Sequence, residues 1–364
     1  MEIRARAALG DLAGEWDALV DRRTLPSPFL RSWWVDHAAI GEPVVVTCLD
    51  GGQLVGGLAL QRSRRFGVEW LQMLGDGALE PDHLDLVADP GRVTEVRDAI
   101  GSWLSRGGPR VLDLRGLVPD ADLVACCPGV GQVRELGVCP YVPLPSDFAQ
   151  YLADRPGKLR STVTRTGKRF DKAGITTRVR AAAEVDEALD ALASLHDDRW
   201  GEASEFSSEW ESFAAAARAG VAAGEVWFTE LVGDDGSVVA SEVDLRVGTR
   251  LAFYQAGRKT DHELRGSGSV LRARIIERAI EEGCDEFDLL RGDEPYKTEW
   301  ASASRRLVRI RKGVGARGIA IALAAEANAR LEPWREARLL RRGDREQAKA
   351  AVEKLETEKE RGDG

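Results

Sequence analysis

Residues Glu225–Gly257, EVWFTELVGDDGSVVASEVDLRVGTRLAFYQAG, hold three β-branched and aromatic runs separated by Gly-Asp-Asp-Gly and Gly-Thr. Such runs joined by glycine-containing turns read as an antiparallel meander. The turn Arg265-Gly-Ser-Gly-Ser269 follows, running straight into a helical stretch, Val270–Glu282, that stops at Gly283; a strand, FDLL, comes next. Upstream, Pro43–Gly75 has the same layout: run, Asp-Gly-Gly turn, run, basic turn, run. A helical stretch (VTEVRDAIGSWLSRGG) and a strand (VLDLRG) follow it too, and Gly108 to Asp113 repeats the offset of Gly283 to Asp288. Hairpins and strand–helix–strand units are common, but matched order, matched turns and the shared ending argue for an internal duplication. The expectation is an α/β (α+β) protein of two similar halves, 1–146 and 147–315, with a charged helical tail over 316–364.

The halves differ between meander and helix. A Gly-Ser-Gly-Ser turn opening a helix presents free backbone N–H groups and the positive end of the helix dipole to a phosphate. The first half has GDGALEPDHLDLVADPG there, and Glu80, Asp82 and Asp85 would repel one. Phosphate binding is therefore expected in the second half alone.

Composition narrows the function classes. With 364 residues and roughly 150 per domain, two domains plus an appendage are expected. The formal charge of −9 disfavours nucleic acid as the main partner. Five Cys without CxxC spacing and four scattered His indicate neither a disulfide framework nor a metal centre. The first 20 residues lack the unbroken apolar core of an export signal, and no run approaches a membrane span. The reading is a cytoplasmic, non-membrane protein, with a homodimer open.

The exception to the acidic character is Tyr151–Arg180, with nine Lys/Arg against Asp154 and Asp171. Its core reads as a helix ended by Gly174, with Leu159, Val163 and Phe170 inward. Its cations form either a solvated face or a wall beside an anionic substrate.

FYQAG, the glycine turn, the helix ending AIEEG and the run FDLLRGDEPYKTEW together resemble the GNAT acyltransferase superfamily. Within it they look most like the CelD-like branch, related to the Fem-type aminoacyl transferases. KLRSTVTRTGKRFDKAG and LASLHDDRW fit as well, so the resemblance is best over Asp147–Lys312, and SPFLRSWW and the first meander extend it more weakly. It implies tandem GNAT folds, mixed mostly antiparallel sheets flanked by helices, with acetyl-CoA or another acyl-CoA lying where two strands part. Carried over, Phe253–Gly257 (with Tyr254, Gln255, Ala256 and Gly257) would hold the pantetheine arm. Arg265, Gly266, Ser267, Gly268 and Ser269 would form the pyrophosphate loop, a partial fit to the fuller GNAT pattern. Tyr296 stands where GNATs commonly place the tyrosine that protonates the thiolate, though an aromatic there also packs.

Acyl transfer needs a base, a polarised carbonyl and an acid. Glu242 and Asp244 alternate on one strand and face one side, where carboxylates are costly unless they act or are paired. His196 is the other base candidate, although a lone helix His commonly packs. Asp293 and Lys297, four apart, are read as either a salt bridge or a substrate clamp. An acceptor pocket is expected between the halves, lined by Arg160, Arg165, Trp200, His196 and the Glu242–Asp244 strand. It would suit a small amine with an anionic group, such as an amino sugar or amino-acid derivative. Two other classes remain: a Fem-like aminoacyl-tRNA-dependent transferase and a catalytically inactive scaffold.

Overall fold

The computed structural model describes residues 1–200 and 205–330, and of 197–200 and 205 the backbone alone. Its strands are β1 (Glu2–Arg6), β2 (Glu42–Asp50), β3 (Gln53–Arg65), β4 (Val68–Met73), β5 (Val87–Ala88), β6 (Arg110–Leu117) and β7 (Val130–Pro143). Then come β8 (Thr176–Val179), β9 (Val226–Val232), β10 (Val238–Val247), β11 (Arg250–Arg258), β12 (Glu286–Asp288) and β13 (Ala303–Val314).

They join in one sheet, ordered β1-β2-β3-β4-β6-β13-β7-β12-β11-β10-β9-β8, with β5 added to β3. Only β4/β6 and β11/β12 pair in parallel. The apolar meander runs set this pattern: all seven residues of β9 are buried, as a strand covered on both faces requires. Each parallel pair is bridged by a helix with an inward apolar stripe. Val93–Ser105 buries Val96, Ile100 and Leu104, and Ser267–Glu281 buries Leu271, Ile275 and Ala279.

Reading inward from either edge, β1-β2-β3-β4-β6 and β8-β9-β10-β11-β12 repeat one order, with the parallel pair last in each. Both expected meanders are present. The sheet, however, crosses the 146/147 junction. In the sheet β7 pairs with β12 and β13, and β13 with β6 and β7. The expected strand Phe287–Leu290 is shorter, because Leu290 turns out of it with φ 52°. After β13 a helix covers 315–330; the remainder of the expected tail lies outside the described residues. Among the described residues, no helix is long and apolar enough to cross a membrane.

Candidate active site

β11 and β12 pair over only three positions, Arg250–Ala252 against Glu286–Asp288. Beyond them β12 gives way to a loop beside β7, while β11 continues against β10 alone. A bulge sharpens the parting. Val243 faces Gln255 and Asp244 faces Phe253, leaving Tyr254 as the extra residue. The edge of β11 from Phe253 to Gly257 is thus open on one side. It borders a cavity of about 690 Å³. In the first half the matching opening beyond Gln72 and Asp113 is closed by the chain itself. Leu84 bridges Leu117 on β6, and Val87–Ala88 takes the edge of β3.

The open edge leads to the glycine turn. Gly266 caps the helix Ser267–Glu281 at φ 91°, a left-handed conformation that suits glycine. Arg265, Gly266, Gly268 and Ser269 line the cavity. Ser267 is fully buried, and its Oγ has no hydrogen-bond partner in the structure. The basic stretch forms a helix, Gly157–Lys172, packed against this turn. Thr162 and Thr166 lie beside Gly266, and Arg169 donates to the Arg265 carbonyl at 2.9 Å. Lys158 and Arg165 share that helical face by spacing. This corrects the expected acceptor wall. The helix sits at the glycine-turn end, and neither Arg160 nor Arg165 lines the cavity. Arg160 reaches back to the Ala153 carbonyl at 3.1 Å.

One turn into the helix, Arg272 enters the cavity. It holds Glu242 with two hydrogen bonds, Nε–Oε1 at 3.2 Å and Nη2–Oε2 at 3.0 Å. Its guanidinium lies 4.0 Å from the Phe253 ring centre, with Tyr296 and Trp300 beyond. Burial raises the Glu242 pKa, against the pull of Arg272. Asp244 faces the same side, as the alternation predicts, but it is fully buried and does not line the cavity. Neither of its carboxylate oxygens has a hydrogen-bond partner in the structure. Burial, and after it Glu242, hold the Asp244 carboxyl well above its usual range.

His196 is not in this group. Its helix, Val185–Trp200, packs on β10 and β11 from the face that carries Val243 and Leu245, so the sheet separates it from Arg272 and Glu242. The packing is close: a Cβ on Gly257 would come within 2.6 Å of Leu195 Cβ. The His196 ring lies 5.6 Å from that of Phe206. The side chain of Trp200 lies outside the described residues.

Tyr296 and Lys297, on the short helix Pro295–Trp300, both line the cavity. Burial lifts the Tyr296 phenol above its ordinary pKa, and Arg272 opposes this. Lys297 donates to the Arg291 carbonyl at 2.6 Å and pairs with Glu294 at 3.1 Å. Of the two readings of Asp293 and Lys297, the salt bridge does not form, since Lys297 takes Glu294 instead. Asp293 is exposed and off the cavity.

The first half completes the cavity with Ala78, Leu79, Glu80 and Asp82. Asp82 accepts from the Arg291 backbone at 2.8 Å and faces the Arg291 guanidinium at 3.2 Å. Next to it His83 Nε2 lies 2.9 Å from Asp288 Oδ2, and Arg250 donates to the same oxygen at 3.0 Å. Burial pushes the Asp288 carboxyl up, but His83 and Arg250 outweigh it and hold the pKa at about 2. His83, Cys139 and Asp288 could each offer one ligand atom to a metal. Burial pushes the Cys139 thiol far above its ordinary pKa, and Arg250 and Arg305 crowd Asp288, a donor set poorly matched to a cation.

Sequence reasoning missed Arg272, Arg291, Asp82 and Arg258, the last of which also lines the cavity. Arg272 had a signal: one charged residue on the inward face of an apolar helix, across from a strand carboxylate. Asp82 had none, since its partner is 209 residues away.

Residues 157–298 match the Acetyltransferase (GNAT) domain family. No curated protein matches the chain. Among solved structures it is similar to FemX, with TM-score 0.60 and 10% identity, over 85% of this chain and 97% of that one. It is also similar to L-PGS from Bacillus licheniformis, with TM-score 0.52 and 12% identity, over 85% and 95%. At such identities the likeness is one of fold. In the segment that carries the open strand edge and the glycine turn, the chain is thus similar to GNAT acetyltransferases.

Proposed function

We propose that the chain transfers an acyl group from an acyl-CoA to the amine of a small molecule. Its Gly292–Lys297 run resembles the CelD-like branch. One observation carries the reading: the open edge of β11 runs without interruption to the Gly266 turn within a single cavity. That edge offers unpaired backbone groups to a pantetheine arm. The turn offers N–H groups, with the cationic face of Gly157–Lys172 beside them, to phosphates. In the transfer the amine nitrogen bonds to the acyl carbon, the C–S bond breaks, and Tyr296 gives its proton to the leaving thiolate and regains one from the nitrogen. β11 N–H groups would polarise the carbonyl. Glu242, held at both oxygens, orients Arg272 rather than taking the amine's proton.

The test is calorimetry with acetyl-CoA. A Cβ on Gly268 meets nothing nearer than Arg258 Cδ at 3.6 Å, so Gly268→Ala is expected to keep the affinity of the native chain. Gly268→Asp adds a charge at the phosphates and should abolish binding with the fold intact. Equal affinities in the two variants would sink the reading. An aminoacyl-tRNA donor would use the same basic face, and tRNA competing with CoA would identify it.

A further inference from the structure

We propose that Glu80 of the first half receives the acceptor as a primary ammonium group, so that the acceptor is a cationic amine. The inference rests on the acyl-CoA reading of the cavity. Most charges lining the cavity are already matched: Glu242 by Arg272, Asp82 by Arg291 and Glu294 by Lys297. Among the described residues, Glu80, Glu299, Arg258 and Arg265 form no ion pair within the structure, and they are not mixed together.

Arg265 opens the phosphate turn, and Arg258 lies against Gly268. Glu299 shares a short helix with Tyr296 and Trp300, whose rings face Arg272, and so belongs to that face of the sheet. Glu80 lies on the other face. Its neighbour Leu79 accepts a hydrogen bond from the Tyr254 hydroxyl at 2.9 Å. The Tyr254 ring sits among Phe29, Trp34, Phe206 and Phe213, on the side of the sheet away from Arg272. The cavity therefore passes between β11 and β12, with unpaired arginines at one mouth and Glu80 at the other. A donor filling the arginine end leaves the Glu80 end for the acceptor.

The backbone at Glu80 is unusual. Glu80 and His83 both adopt left-handed φ, 45° and 58°, which is costly for such residues. The segment is held there by the Tyr254–Leu79, Asp82–Arg291 and His83–Asp288 hydrogen bonds. The first half, having closed its own cleft, thus presents a carboxylate to the second half's cavity. Among the described residues, no unpaired cation stands with it. The ammonium pairs with Glu80 and passes it a proton. The freed lone pair then attacks the acyl carbon, the C–S bond breaks as Tyr296 gives its proton to the thiolate, and the tyrosinate takes the remaining surplus proton from the nitrogen.

Two CoA thioethers of equal length test this without knowledge of the natural acceptor. S-(3-aminopropyl)-CoA places an ammonium beyond the sulfur, and S-butyl-CoA places a methyl there. Calorimetry at pH 7 should show the native chain binding the ammonium compound about tenfold more tightly, the worth of one charge-assisted hydrogen bond. Glu80→Gln should erase the difference while keeping its affinity for CoA itself. Equal affinities in the native chain, or a preference that survives in Glu80→Gln, overturn the assignment of Glu80. Failure of CoA to bind the native chain overturns the acyl-CoA reading, and this inference with it.

Discussion

The Tyr254 hydroxyl donates to the Leu79 carbonyl at 2.9 Å, joining the bulge of β11 to the first-half segment that walls the cavity. A side chain at the parting of two strands thereby helps to hold a segment 175 residues upstream.

Tyr254→Phe removes that bond and keeps the aromatic packing. We expect a stability loss of about 1 kcal/mol in urea unfolding. Amide exchange should accelerate over residues 77–83 while the helix Ser267–Glu281 stays protected. Unchanged exchange in the segment would mean that Asp82 and His83 hold it alone.

The buried Arg272–Glu242 pair gives a second expectation. Arg272→Met leaves the Glu242 carboxyl buried without its partner and should cost about 3–5 kcal/mol in denaturant unfolding. Adding Glu242→Gln to it should recover most of that loss, because no charge is then stranded. A double variant as unstable as the single one would mean that Arg272 acts through its stacking on Phe253.

Asp244 predicts a pH dependence. Its pKa is raised by burial and then by Glu242, so the folded chain keeps a proton that the unfolded chain releases above about pH 4. Stability is drained as pH climbs through that window. Asp244→Asn has no proton to release. Its denaturation midpoint should therefore exceed the native one by more at pH 8 than at pH 5. A smaller gain at pH 8 would show an ionised, stabilised Asp244.

The meanders, the helix after each and the glycine turn were legible because each is written in adjacent residues. Turn chemistry and apolar period need no distant partner. Tyr254 to Gly257 and Arg265 to Ser269 were placed together for the same reason: resemblance and local pattern coincide there. The acceptor side was not legible. Charge alone assigned Arg160 and Arg165 to a substrate, but Arg160 turns to the Ala153 carbonyl and Arg165 shares the helix face beside the glycine turn. His196 and Glu242 lie on strand and helix faces that only the sheet's two-sidedness separates. The carboxylates at 80, 82 and 85 were read as a bar to phosphate. Asp85 instead accepts from the Asp122 and Leu123 amides, capping a helix, and Asp82 grips Arg291.

The exchange of β7 and β13 has a consequence for how the chain comes off the ribosome. When residue 146 has emerged, β7 exists but has no strand to join, and β6 still lacks its outer neighbour. Both wait for residues 286–314, synthesised on the order of 10–30 s later at about 5–20 residues per second. The nascent first half must hold an unpaired strand and an open sheet edge through that interval, a template for aggregation. A gene cut at the junction of the halves would yield two fragments, each lacking the strand that the other carries.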